Sequence, residues 1–324
     1  MQTPLVSIVV ACRNEEKYIA DCVNGFLSGT VTDIEVIVVD SMSEDRSLEI
    51  LKGIAARDAR LRILSNPDRI TPKAYNIGVR AARAPYWAIF GAHSIPAKDW
   101  VERNLAALEA NPSAAAVGGV LETISDTFVG RAIAGVMSSV FGVGNVRFRV
   151  GGAPGYTDTV VFGVYRREVT GRYGLFDEIF ATNQDDEYNL RLISNGERLY
   201  FDPSIQARYY ARPTWRKALD QYWRYGRYKV DVFRKNGRIG GIRQLVPAAW
   251  VAFLVVSALF GIFVPVLNLL TAAVIATYLL LGVVFMFRTA RQCGLSVILF
   301  LPVAASIHLA YGLGTWRGAF ARRF

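Results

Sequence analysis

Histidine and cysteine are scarce in this sequence. Its 324 residues hold two histidines, His93 and His308, and three cysteines, Cys12, Cys22 and Cys293. Two histidines rule out a histidine-rich metal site. Three cysteines without metal-ligand spacing give neither a zinc site nor a disulfide framework, and they fit a reducing compartment. The N-terminus "MQTPLVSIVVACRNEE" lacks a basic stretch before its apolar run, which is only of strand length. It reads as no signal peptide and leaves the first part of the chain in the cytoplasm. Internal repeats and low-complexity tracts are absent. So are the motifs of nucleic-acid recognition, which excludes that class of partner despite the formal charge of +10.

Charge is missing locally as well. From Leu245 to Phe287 there is no charged side chain, a run about twice the ~20 residues that span a bilayer. A second apolar run covers Leu295 to Thr315. Immediately before the first run, Arg208 to Arg243 hold eleven Lys or Arg against two acids, Asp220 and Asp231. A basic juxtamembrane block is drawn to anionic lipid by about 1 kcal/mol per residue and follows the positive-inside pattern. Positive-inside reasoning puts Arg234, Lys235, Arg238, Arg243, Arg288 and Arg291 in the cytoplasm. Spans are expected at Leu245–Val264 and Val266–Phe287. A third at Leu295–Thr315 would leave Arg317, Arg322 and Arg323 outside, so that segment is either a span or a re-entrant or interfacial piece. The expectation is a multi-pass protein of the inner (cytoplasmic) membrane, with its soluble part on the cytoplasmic side.

The first ~240 residues are organised differently. "LVSIVVACRN", "DIEVIVVDSMSED", "LRILSN" and "YWAIFGAHS" read as strands, short apolar runs ending in polar residues. "EEKYIADCVNGFLSG", "DRSLEILKGIAAR" and "TPKAYNIGVRAAR" read as helices between them. Strands alternating with helices predict an α/β fold with a mainly parallel sheet. Ligands then bind at the carboxyl ends of the strands, here Ala11-Cys12-Arg13-Asn14, Asp40-Ser41 and Gly91-Ala92-His93-Ser94. Beyond Asn111 the pattern loosens. "AAAVGGVLETI" reads as a strand. "FVGRAIAGVMSSVFGVGNVRFRVGG" reads as a helix, at the membrane interface or buried. "TDTVVFGVYRREV" reads as a strand leading into a turn. The acids Asp185, Asp186 and Glu187 open a helix that Gly196 ends, where the helix dipole favours them. They are either a solvated helix start or a concentrated negative site.

Five stretches stand in a telling order: "VSIVVACRNEEKYI", "EVIVVDSMSEDRS", "AYNIGVRAA", "NQDDEYNLRL" and "QYWRY". Together they resemble the inverting glycosyltransferases of family 2 over roughly residues 4 to 240. "FGVGNVRFRVGG" and "DTVVFGVYRREV" are similar to the bacterial exopolysaccharide branch, of the succinoglycan glucosyltransferase type. The resemblance implies a GT-A nucleotide-sugar-binding domain over residues 1–210. A basic interface segment over 211–244 then carries a Q-x-x-R-aromatic element, and residues 245–324 form a C-terminal membrane region with transmembrane helices.

It also implies roles. Asp185 takes the place of the catalytic base, with Asp186 adjacent and Glu187 orienting the site. Asp40 contacts the nucleoside, where a carboxylate can accept from a uracil N–H or a ribose hydroxyl. Arg13, Asn14 and Glu15 flank the nucleotide, and Asp45 is either a second nucleoside contact or a helix cap. Arg191, Gln221, Trp223, Arg224 and Tyr225 match positions facing the diphosphate or the acceptor. The metal motif departs from pattern: Gly91-Ala92-His93 stands where Asp-x-Asp is expected. One carboxylate is lost, and His93 could ligate Mn²⁺ more readily than Mg²⁺. The implied activity transfers a sugar, glucose by resemblance, from a UDP-sugar to a polyprenyl-diphosphate-linked acceptor in exopolysaccharide biosynthesis. Other polysaccharide assembly enzymes are implied as partners. The alternatives are a polyprenyl-phosphate sugar synthase and a non-catalytic membrane scaffold.

Overall fold

In the computed structural model, residues 3–321 are described. They form two compact units. One comprises residues up to Glu122 together with Gly151–Tyr209, the other Thr123–Val150 together with Tyr210 onward. Arg322 and Arg323 lie outside the described residues.

The first unit alternates strand and helix: β1 (Val6–Cys12), α1 (Ile19–Leu27), β2 (Ile34–Asp40), α2 (Ser47–Ala55), β3 (Leu61–Ser65), α3 (Thr71–Ala81) and β4 (Tyr86–Gly91). Every residue of β2 is buried, as are all but Ala11 in β1. Strands covered on both faces are apolar nearly throughout, the buried Ser7 and Glu35 being bonded to one another, which is why these runs do not alternate. β1 pairs in parallel with β2 and β4, and β2 with β3. The register sets Cys12 beside Asp40 and Ala11 beside Gly91. The three strand ends named from the sequence therefore come together at one edge.

The rest of the sheet corrects the expectation of a mainly parallel one. β5 (Ser94–Pro96), α4 (Trp100–Ala110) and β6 (Ala114–Ile124) follow β4 in the chain. After α5 (Phe128–Met137), α6 (Val140–Val143) and α7 (Arg147–Val150) come β7 (Gly155–Thr157), β8 (Val164–Arg166), α8 (Arg167–Tyr173), α9 (Gln184–Ser194) and β9 (Arg198–Tyr210). The sheet runs β3-β2-β1-β4-β8-β6-β9-β5, with β7 on β9. The pairs β4–β8, β6–β8, β5–β9 and β7–β9 are antiparallel. The sheet is mixed because a parallel pair needs a crossover connection back to the same edge, and regular βαβ repetition stops at β4. The strand expected over "TDTVVFGVYRREV" shrinks to β8. Phe162 takes a left-handed φ of 49° there, which an extended strand does not allow.

In the second unit the single helix expected over residues 128–152 is three short ones, α5, α6 and α7. Buried α5 has no room for a side chain at Gly135, where a Cβ would lie 2.2 Å from Cys293 Sγ. The basic block folds as α10 (Trp215–Asn236), followed by α11 (Val246–Phe260), α12 (Pro265–Cys293) and α13 (Phe300–Phe320). The three apolar runs do not become three spanning helices. α11 has only 15 residues, and among the described residues the one stretch long and apolar enough to cross a membrane is Pro265–Phe320.

α10 and α13 approach at backbone distance. A Cβ on Gly314 would meet the Trp223 carbonyl at 2.2 Å, one on Gly318 the Arg227 carbonyl at 2.4 Å, and one on Gly226 the Tyr311 carbonyl at 2.0 Å. Gly314 and Gly318 form a G-x-x-x-G pair, the spacing that lets two helices touch.

Candidate active site

At the carboxyl end of β2, Asp40 is 5% exposed. Its Oδ2 accepts from the Ser43 amide at 3.1 Å, while its buried Oδ1 has no donor. A buried carboxylate oxygen without a donor is costly, and such an atom at a strand end marks where a ligand donor would be stabilising. Burial first, then the negative charges of Asp40 and Glu15, push the Cys12 thiol up to about 12. Cys12 is thus a buried thiol and no nucleophile.

The loop after β1 is cross-laced to the loop after β2. Asn14, at a left-handed φ of 55°, donates its amide to Ser43 Oγ at 3.0 Å and accepts from the Glu44 amide at 2.8 Å. The Glu15 amide donates to Ser47 Oγ. Asp45 Oδ2 accepts from the Glu16 amide at 3.0 Å and Oδ1 from the Ser47 amide at 2.9 Å. Burial raises the Asp45 pKa, but the hydrogen bonds from Ser47 and from the Glu16 amide outweigh it and hold the carboxyl below its usual range. One oxygen of Asp45 thus serves the turn into α2 and the other ties that turn to the loop after β1. Arg13 is exposed beside this lacing.

His93 lies between β4 and β5. Its Nδ1 is 2.9 Å from Glu15 Oε1, and its ring centroid is 5.1 Å from that of Tyr209. Facing a carboxylate, Nδ1 is the donor nitrogen, and in the neutral ring Nε2 then carries the lone pair. A carboxylate holding the far nitrogen of a histidine is the usual support of a metal ligand. The lost acid at Gly91 has a local reason. A Cβ there would sit 3.1 Å from Phe162 Cζ and 3.3 Å from Ser94 Oγ, so the Phe162 ring, tilted against Phe90 with centroids 4.3 Å apart, fills the space of the missing side chain. Among the described residues no group of three or more His, Cys, Asp or Glu could hold a metal unaided. The donor set that is present, one imidazole backed by one carboxylate, fits a cation that takes its other ligands from a bound diphosphate.

The acid triplet opens α9 after Asn183, which has a left-handed φ of 64°. Asp185 and Asp186 are half-buried in the first turn. The Asp185 charge, after burial, helps to raise the pKa of Tyr75 on α3, and after burial and Tyr188 that of Tyr165 on β8. Glu187 turns inward and is 0% exposed. Its Oε2 accepts from Arg191 at 3.0 Å. Arg191 also donates to the carbonyls of Tyr173 at 2.7 Å and Leu175 at 2.8 Å. Glu187 and Arg191 therefore anchor the segment that leads to α9. For Arg191 this is a positioning task where the sequence suggested a diphosphate contact.

Sequence reading missed the other anchors. Tyr188 Oη donates to the Gly174 carbonyl at 3.2 Å. Asn76 of α3 donates to the Phe176 carbonyl at 2.9 Å and accepts the Phe176 amide at 3.0 Å. Four consecutive carbonyls, Tyr173 to Phe176, are thus each gripped by a side chain. On the other side of α9, Asn189 donates to the Val160 carbonyl at 2.7 Å and accepts from Tyr165 Oη at 2.9 Å. The available signal was polar residues at inward-facing helix positions, Asn76 in "AYNIG" and Asn189 in "DDEYNL".

Gln221, Trp223, Arg224 and Tyr225 belong to the second unit. Gln221 is buried and donates to Tyr225 Oη at 2.6 Å, while Trp223 and Arg224 are exposed. Buried Lys229 and Asp231, farther along α10, were not singled out from sequence.

Comparison with known proteins bears on the family and the fold. Residues 7–174 match the model of glycosyl transferase family 2. The chain is 31% identical over 240 residues, 71% of its length and 74% of the relative's, to a dolichyl N-acetyl-alpha-D-glucosaminyl phosphate 3-beta-D-2,3-diacetamido-2,3-dideoxy-beta-D-glucuronosyltransferase of Methanococcus voltae. It is 27% identical to the succinoglycan biosynthesis protein ExoA of Rhizobium meliloti, over 96% of this chain and 93% of that one. In fold it is similar to the mannosyltransferase PcManGT from Pyrobaculum calidifontis, solved with GDP-Man and Mn²⁺, with a TM-score of 0.62 at 20% identity, covering 95% of this chain and 88% of that one. The α/β architecture is thus of the GT-A type, and the chain belongs to glycosyl transferase family 2.

Proposed function

We propose that this glycosyltransferase is a membrane-bound inverting enzyme on the cytoplasmic face. It moves a sugar, glucose in our reading, from a UDP-sugar to a polyprenyl-diphosphate-linked acceptor during exopolysaccharide assembly. Asp185 removes the proton of the acceptor hydroxyl as that oxygen attacks the anomeric carbon. The bond to the UDP oxygen breaks on the opposite face, and configuration inverts. Asp186 is the adjacent carboxylate that raises the basicity of the pair. Asp40 accepts from the nucleoside, at the oxygen that otherwise lacks a donor. His93, backed by Glu15, would hold a divalent cation together with the donor diphosphate, and such a cation would offset the charge on the leaving UDP. Arg224, on the strength of its motif alone, is proposed as a phosphate partner.

The observation that carries the reading is a half-buried pair of acids at the first turn of α9, on a helix anchored along both sides. The lipid-linked acceptor is supported by the name of the Methanococcus relative, and the exopolysaccharide setting by that of the Rhizobium relative. Asp185→Asn keeps the shape and removes the base. It should leave UDP-glucose binding unchanged and cut transfer to a polyprenyl-linked sugar by about 10²–10⁴-fold. Transfer at the wild-type rate by Asp185→Asn overturns the assignment, and loss in Asp186→Asn instead shifts it by one residue.

A further inference from the structure

α11 and α12 fold back on one another. Trp250 stacks on Tyr278 with ring centroids 4.9 Å apart and planes 12° apart, and Asn268 meets Gly261 at the turn. Arg243 precedes the first helix, while Arg288 and Arg291 stand near the end of the second. In an antiparallel pair these basic residues share one end.

The other end has no charge. Phe260, Ile262, Phe263, Val264 and Val266 lie around the turn, with Ile262 85% and Phe263 78% exposed. From Ile262 to Leu281 every residue except Leu267, Thr271 and Tyr278 is exposed. A turn that emerges into water is ordinarily built of polar residues and glycine. This one is apolar, and its backbone is served from within. Asn268 Nδ2 donates to the Gly261 carbonyl at 2.9 Å, the Gly261 amide bonds to the Ser257 carbonyl, and the Phe263 and Val264 amides both bond to the Phe260 carbonyl. Internal satisfaction of the backbone is what a hydrocarbon surrounding demands. α11, with 15 residues, reaches roughly 22 Å at 1.5 Å per residue, short of the ~30 Å hydrocarbon core.

α12, with 29 residues, is long enough to cross by itself, but its first turn is tied to the end of α11 through Asn268 and Gly261; α13 offers no crossing. It runs parallel to α10: Trp215 bonds to Ser306, the Trp223 carbonyl abuts Gly314, and Arg234 bonds to the carbonyls of Gly318 and Ala319. α10 carries Arg216, Lys217, Arg224, Arg227, Arg234 and Lys235 along that length. A helix held against so many charges stays at the water interface.

We propose that α11 and α12 are a re-entrant hairpin. It enters the bilayer from the side of Arg243, Arg288 and Arg291, holds its Phe260–Val266 tip in the hydrocarbon, and leaves by the same side, so the chain is anchored without crossing. The occupant of its exposed apolar surface is lipid, matched by the basic collar at its base.

The full-length protein, expressed in a bacterial host, tests this with Phe263→Cys at the tip and Arg238→Cys on the basic side. The three native cysteines are buried. A membrane-impermeant maleimide is applied to spheroplasts and to inverted membrane vesicles. Phe263→Cys should stay unlabelled from both sides and become labelled in detergent, while Arg238→Cys is labelled from one side only. A fluorophore on Phe263→Cys, in vesicles of anionic and zwitterionic lipid, should be quenched several-fold more by acyl-chain bromines than by a headgroup quencher. Labelling of Phe263→Cys from the side opposite Arg238→Cys would mean that the hairpin crosses. Labelling from the same side, or absence of acyl-chain quenching, would mean that the tip lies in water or inside protein. Each of these results overturns the proposal, and none depends on which sugar is transferred.

Discussion

Asn76 holds the backbone of Phe176 from both directions, donating to its carbonyl at 2.9 Å and accepting its amide at 3.0 Å. A side-chain amide that replaces both strand-like partners of one residue pins that residue as firmly as a neighbouring strand would. The pinned residue belongs to the segment that delivers α9, and with it Asp185. The placement of Asp185, the proposed base, thus depends on a residue more than one hundred positions earlier in the chain.

Asn76→Ala leaves the amide and carbonyl of Phe176 buried and unserved. Each such group costs about 1–3 kcal/mol. The variant should unfold at lower temperature in detergent and turn over more slowly, with donor affinity near that of the wild type. Asn76→Asp, which would set a buried carboxylate against the Phe176 carbonyl and Glu178 Oε1, should lose at least as much. Wild-type stability in Asn76→Ala would remove the anchoring role.

Asp40→Ala removes the buried acceptor at the end of β2. UDP binding measured by calorimetry should weaken by about 1.5–3 kcal/mol, the usual size for a hydrogen bond to a charged group. Unchanged affinity would exclude the nucleoside contact.

Glu15→Gln keeps the size of the side chain but weakens its hold on His93. Loss of such support lowers metal affinity by about 10–100-fold. The readout is the Mn²⁺ concentration that half-saturates UDP-sugar binding, which should rise by that factor, and more so in His93→Ala. Wild-type activity that survives strong chelation would show that no cation is used.

Glu35 predicts a pH dependence. Its carboxylate, 1% exposed as a side chain, accepts from Ser7 Oγ at 2.7 Å, the Arg83 amide at 2.7 Å and Arg62 at 2.8 Å. Burial raises its pKa, but the bonds from Ser7, the Arg83 amide and Arg62 outweigh it and bring it below its ordinary 4.5. A depressed folded pKa contributes stability that is full above the unfolded value and is lost as pH falls through the folded one. Denaturation midpoints should therefore decline below about pH 4.5. The decline should be shallower in Glu35→Gln, which has no proton to take up. Equal slopes in the two proteins would overturn the linkage.

Gly314→Val forces α13 away from α10, because even a Cβ would lie 2.2 Å from the Trp223 carbonyl. Overpacking of this kind costs about 1–3 kcal/mol or more. Thermal unfolding in detergent should show the loss, and Leu313→Val, on an exposed neighbour, should not.

The sequence by itself determined a good deal. The buried strands β1, β2 and β4 were legible because strands covered on both faces are almost continuously apolar. Their polar ends located Asp40 and His93 because chain reversal at a strand end needs polar residues. The acid triplet was legible as a helix start because the helix dipole favours acids there. Only the tertiary structure decided which way β8 and β9 pair, since strand patterning is the same in either direction. Likewise Asp185 and Glu187, two residues apart, were told apart by the family resemblance but not by helix patterning. The helical rotation leaves one half-buried at the first turn and turns the other onto Arg191. The missing acid at Gly91 and the aromatic at Phe162 are 71 positions apart, and only folding shows that one fills the space of the other. The α11–α12 pair was legible as apolar but not as a hairpin with an internally served tip, because composition records what a segment can be buried in and not where its backbone hydrogen bonds go.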